Sequence, residues 1–195
     1  MTAAPAARVL AFAGSTRRAS FNKRLMAIAA EGARQAGACV TSIDLRDYPL
    51  PLYDGDLEAA EGLPAAGAEL KALFKDHDGL LIAAPEYNGS ISAVLKNTID
   101  WVSRPVEGEP SLSAFTGKVA GLVAASPGRL GGLRGLVHVR QILSGINVLV
   151  IPEQRAVPGA ASAFEADGRL ADPDLQAAVE AIGAKVARVA ARLKS

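Results

Sequence analysis

Three short stretches of this chain combine residue types able to hold an anion or a flat ring. The first is Gly14-Ser15-Thr16-Arg17-Arg18-Ala19-Ser20-Phe21-Asn22. Ser15, Thr16, Ser20 and Asn22 offer hydroxyl and amide donors. Arg17 or Arg18 can make a bidentate, charge-assisted contact with a phosphate. Gly14 lets the chain turn tightly, and a helix capped by Ser20 adds free N–H groups and the positive end of its dipole. The stretch lacks both G-x-G-x-x-G and the Gly-Lys-Ser/Thr of a P-loop, which favours a monophosphate over a pyrophosphate. The second stretch, Pro85-Glu86-Tyr87-Asn88-Gly89-Ser90, supplies backbone groups, an aromatic and an amide. The third, residues 126–132 (SPGRLGG), supplies glycines past which backbone can approach a ring. Each has a plainer reading: a capped helix with two solvated arginines, an Asn-Gly turn, a flexible connection.

What favours a site is the position the three share. Each follows an apolar run and precedes a helical pattern. Val9–Ala13, Val40–Leu45, Gly79–Ala84, Val119–Ala125 and a short Val148–Ile151 read as five buried strands. Between them run a helix with inner face Leu25, Ile28, Ala29 and Ala36, a second at 65–75, a third carrying Leu95, Ile99 and Val102, and a fourth carrying Leu136, Val139, Leu143 and Ile146. Ser90 or Ser92 can cap the third. Asp172-Pro173-Asp174 opens a last helix with a cap, a proline and an acid, and its inner face is Leu175, Val179, Ile182, Val186, Val189 and Leu193. Residues 46–64 read as one long loop, 103–117 as a second connection and 152–171 as an extension. Strands alternating with helices give one α/β domain: a parallel sheet covered on both faces, in the flavodoxin-like order 2-1-3-4-5. Ligands bind at the carboxyl ends of such strands, where the three stretches converge. FMN fits a monophosphate with a planar ring better than NAD or FAD does.

Composition excludes other classes. With 21 Lys and Arg against 20 Asp and Glu, the net charge is +1, which gives no basis for a nucleic-acid partner. No apolar run approaches the ~20 residues of a membrane helix. Residues 1–7 read as a short tail rather than a signal peptide. The single Cys39, at the start of a strand, reads as a small core residue and suits a reducing, cytoplasmic compartment. His77 and His138 lack metal-ligand spacing. Asn97, Lys96 and Asp100 read as groups that tie loops or an interface together, and Trp101 as a packing or interface anchor.

The motifs Gly14-Ser15-x-Arg17-x-x-Ser20-x-Asn22, Pro85-Glu86-Tyr87-Asn88-x-Ser90 and Leu95-Lys96-Asn97-x-x-Asp100-Trp101 resemble those of the NADPH-dependent FMN reductases, over roughly residues 8–193. Members often carry proline where Ser92 stands. The resemblance implies FMN, with Ser15, Arg17, Ser20 and Asn22 at the phosphate. It implies Pro85, Glu86, Tyr87 and Asn88 along the ring and ribityl chain, with Ser126 and Gly128 near the ring. It also implies NADPH or NADH as co-substrate, a quinone, azo compound, metal oxyanion or free flavin as acceptor, and a homodimer or homotetramer. Two substrates sharing one ring face would give ping-pong kinetics. No residue is nominated as catalytic. The alternative is a flavodoxin-type electron carrier with no substrate of its own, which the near-neutral charge disfavours.

Overall fold

The computed structural model describes residues 6–194. Five parallel strands form one sheet: β1 (Arg8–Ala13), β2 (Cys39–Asp44), β3 (Gly79–Ala83), β6 (Val119–Ala125) and β7 (Leu149–Val157). Their order is β2-β1-β3-β6-β7, the expected 2-1-3-4-5 once a small hairpin, β4 (Glu86–Tyr87) and β5 (Ser90–Ile91), is set aside. Every residue of β3 and β6 is buried, as befits strands covered on both faces. The pleat divides the core in two. Val9, Ala11 and Ala13 face α1 (Phe21–Gln35) and α6 (Pro173–Leu193). Leu10 and Phe12 face α3 (Ala65–Lys75), α4 (Ala93–Val102) and α5 (Leu133–Gly145). α1 and α6 touch through backbone: a Cβ on Gly183 would lie 1.8 Å from the Ala29 carbonyl oxygen, and one on Gly32 would lie 2.0 Å from that of Glu180.

Several boundaries differ from the sequence reading. Residues 46–64 are not one loop: α2 (Gly55–Glu61) lies inside them, started by Asp54, whose side chain accepts from the Asp56 N–H. α2 buries no residue, so it leaves no apolar period to read. The last strand runs on through Pro152 to Val157. As an edge strand β7 tolerates the missing N–H, and a register shift between Ala120 and Leu122 accommodates it. Cys39 is exposed at the start of the edge strand β2, not in the core. Leu193 is 59% exposed, so the inner face of α6 ends earlier than expected, and Ala187 and Ala190 complete it. The expected tail falls mostly on residues 1–5, outside the described ones, while Ala7 is buried in the core. Among the described residues no helix is long and apolar enough to cross a membrane.

Candidate functional site

The three stretches meet at the carboxyl edge of the sheet. Backbone bonds register them: Gly14 donates to the Ala83 carbonyl, Ala84 to Val123 and Ser126 to Val157. Between them lies a cavity of about 100 Å³ lined by Ser15, Arg17, Ser20, Phe21, Asn22, Pro85, Glu86, Tyr87, Ala125, Ser126 and Pro127. Of the ten residues that the family resemblance implies at the flavin, eight are on that wall. The remaining two are set apart: Asn88 is exposed at the hairpin tip, and Gly128 is exposed further along the third loop. A larger cleft of about 590 Å³ lies away from the strand ends, between the 165–171 segment and α6.

One end of the cavity, where the sequence suggests a phosphate, is built from the start of α1. Ser20 occupies the N-cap position, in extended backbone, yet its hydroxyl makes no cap bond. It is nonetheless only 4% exposed, on the cavity wall. This corrects the reading of Ser20 as a side-chain cap: its carbonyl accepts from the Lys23 and Arg24 N–H groups, while the N–H groups of Phe21 and Asn22, which line the cavity, have no acceptor among the described residues. Ser15, equally buried, accepts from the Arg17 N–H at 3.3 Å, which folds the loop inward. The exposed Arg17 guanidinium bonds to no other described residue. Asn22 has a different task. Its amide donates to the Ala125 carbonyl at 2.8 Å and accepts from the Ala125 N–H at 3.0 Å, stapling α1 to the end of β6. Only its backbone N–H remains for a ligand. The Ser20 hydroxyl on the cavity wall, the Phe21 and Asn22 N–H groups and a guanidinium with no partner among the described residues together fit a phosphate.

Gly14 is required by packing rather than by a turn. A Cβ there would sit 2.8 Å from the Leu95 Cβ of α4. Ser92 caps that helix by accepting from the Leu95 N–H at 3.3 Å, and it donates to the Gly14 carbonyl at 2.6 Å. Ser92 therefore joins the first two loops through a hydroxyl.

The other end, formed by the second stretch, is a hairpin rather than an irregular loop. Asn88 and Gly89, with φ of 51° and 81°, make the two-residue turn of the β4–β5 hairpin. Tyr87 is 51% exposed beside it, and Leu130 of the third loop is 49% exposed. The Glu86 side chain turns from the cavity toward α5. Burial alone would raise its carboxyl pKa, but hydrogen bonds from the Arg134 guanidinium and from the Gly135 and Arg134 N–H groups hold it below the ordinary value. Glu86 can thus offer only backbone to a ligand in this cavity.

Two features carried no sequence signal. Phe21 stacks on Phe164, ring centroids 6.1 Å apart, so the 158–171 segment backs the phosphate wall. Arg134 is the partner of Glu86 across 48 positions. By contrast, Asn97 and Trp101 behave as expected. The Asn97 amide and the Trp101 indole N–H each donate to the Pro51 carbonyl at 2.8 Å, pinning the segment before α2.

Residues 7–162 match the family described as NADPH-dependent FMN reductase. An NAD(P)H-dependent FMN reductase of Pseudomonas aeruginosa is 39% identical over 167 residues, 85% of each chain. A quinone reductase of Escherichia coli K12 is 33% identical over 159 residues, covering 78% of this chain and 77% of that one. Among solved structures, a flavoenzyme NAD(P)H:(acceptor) oxidoreductase from Paracoccus denitrificans superposes with a TM-score of 0.76 at 29% identity. It covers 93% of this chain and 98% of its own.

Proposed function

The chain belongs to the NADPH-dependent FMN reductase family, and on that premise we propose that it passes reducing equivalents from NADPH or NADH, through bound FMN, to a quinone, azo compound, metal oxyanion or free flavin. The observation that carries this reading is the uncapped start of α1, where the Ser20 hydroxyl, on a residue only 4% exposed, and the Arg17 guanidinium have no partner among the described residues. FMN, when bound, supplies an exchange of hydride and electrons that protein side chains do not offer. The chain's task is to bind and orient. Ser15, Arg17, Ser20 and the first N–H groups of α1 would hold the phosphate. Pro85, backbone of the 86–91 hairpin, Ser126 and Pro127 would flank the ring. Tyr87 and Leu130, both half exposed, would border the face left open to substrates.

One open face cannot take nicotinamide and acceptor together, because each must come within ~3.5 Å of the ring to react. The kinetics are therefore ping-pong. Steady-state NADPH or NADH oxidation with varied quinone should give parallel double-reciprocal lines. Intersecting lines would refute the shared face. Turnover near background, with flavin bound, would make the protein an electron carrier instead. We place the enzyme in the cytoplasm and as a homodimer or homotetramer. Exposed Leu133 and Val137 on α5, beside the site, support assembly there, which light scattering tests.

A further inference from the structure

Glu86 makes no use of its carboxylate toward the cavity, yet that carboxylate is almost fully enclosed, with the side chain 7% exposed. It lies against the first turn of α5. Behind that turn stands Gly132, left-handed at φ 96° and without a side chain to cap the helix. Glu86 supplies the missing acceptor from another part of the chain. One carboxylate oxygen receives the N–H groups of Arg134 at 3.0 Å and Gly135 at 3.2 Å, the second and third residues of α5. The other receives the Arg134 guanidinium through Nε at 2.7 Å and Nη2 at 2.5 Å. The far side of the hairpin is fastened to the same helix, by Ser90 Oγ and His138 Nδ1 at 2.9 Å. The surfaces are in contact: a Cβ added to Gly135 would lie 3.4 Å from the Glu86 Cβ and 3.5 Å from the Ser90 carbonyl oxygen.

The hairpin and the start of α5 are continuous with the two loops that flank the ring in the reading above. Fastening one to the other fixes the width of the gap between them. We infer that Glu86 is a positioning residue: as the cap of α5 and the partner of Arg134, it sets the gap that receives the flavin ring. The inference rests on the FMN reading. A carboxylate suits the task better than an amide, because both the helix N-terminus and the guanidinium favour negative charge. The latch sits at the ring end, while the phosphate is held by α1. Losing the latch should therefore weaken every ligand that carries the ring, and spare one that is phosphate alone.

The test uses ligand-free full-length protein, as wild type, Glu86→Gln and Arg134→Ala. FMN and riboflavin are titrated by flavin fluorescence. Inorganic phosphate is read by its effect on the melting temperature, and amide hydrogen exchange is followed over residues 86–91 and 133–135. Both variants should weaken FMN and riboflavin by the same factor, about five- to tenfold. Exchange should rise in both segments, and the phosphate response should stay. Arg134, 62% exposed, can be truncated without emptying the core, so it carries the comparison if Glu86→Gln folds poorly. Unchanged flavin affinity in the variants, or a loss for FMN without riboflavin, overturns the latch and leaves the FMN reading standing. A wild-type protein that binds neither flavin overturns both.

Discussion

Two serines at helix N-cap positions should respond in opposite ways to replacement by alanine. Ser20 and Ser92 are about equally buried, at 4% and 3% exposure. Ser92 satisfies the Leu95 N–H and the Gly14 carbonyl at once. Ser92→Ala removes a cap, worth about 1 kcal/mol, and strands a buried acceptor, at about 1 kcal/mol more. At ~2–4 °C per kcal/mol for a chain of this size, the ligand-free melting temperature should fall by ~4–8 °C. Ser20 makes no cap bond, so Ser20→Ala should cost under ~0.5 kcal/mol, a shift of at most ~2 °C. What it would lose, in the proposed site, is a donor to the phosphate. At ~1.5 kcal/mol for a bond to a charged acceptor, FMN affinity should fall about tenfold. Circular dichroism melts of ligand-free protein and fluorescence titrations with FMN measure the two quantities separately. If Ser20→Ala melts as early as Ser92→Ala while binding FMN normally, Ser20 is an ordinary cap and the phosphate site lies elsewhere.

Three further outcomes follow from the same contacts. Arg17→Ala should weaken FMN about 10- to 100-fold and leave riboflavin unaffected, since in the proposed site the guanidinium would meet only the phosphate; equal losses in the two titrations would move Arg17 away from it. His77 is held neutral, chiefly by burial and further by the nearby charges of Arg8 and Lys118, against the opposing pull of its bond to the Leu73 carbonyl. Its folded pKa lies below the unfolded ~6.5, so its stabilising contribution is complete above that pH and is lost as pH falls through the lowered value. Urea melts should weaken over that interval, and His77→Gln should flatten the decline; an unaltered decline would assign it to other groups. Gly183→Ala should abolish folding or cost several kcal/mol by driving a Cβ into the Ala29 carbonyl, whereas Gly145→Ala, with open space around its added Cβ, should stabilise by ~0.4–1 kcal/mol. Calorimetry of the pair checks the contrast.

The sequence by itself determined the alternation of strands and helices, the strand order and the sheet edge at which the three loops and their cavity lie. Those follow from local periodicity and from the right-handed, short connections that parallel sheets require. It also picked out most of the cavity wall, because a phosphate loop is contiguous in the chain and its donors are recognisable by type. The Asn88-Gly89 hairpin and Asp54 at the start of α2 carried legible local signals too, though α2 had no buried face to make it periodic. Only the tertiary structure decided which polar groups were already satisfied. Ser20 and Ser92 look alike in sequence, and only packing shows that the Ser92 hydroxyl has partners in its own helix and at Gly14 while the Ser20 hydroxyl has none among the described residues. Asn22 and Glu86 look like ligand-binding groups, but each finds its acceptors or donors far along the chain, at Ala125 and at Arg134 and Gly135. A hydrogen bond is claimed by whichever partner folding brings within about 3 Å, and across 48 or 103 positions no periodicity records that distance.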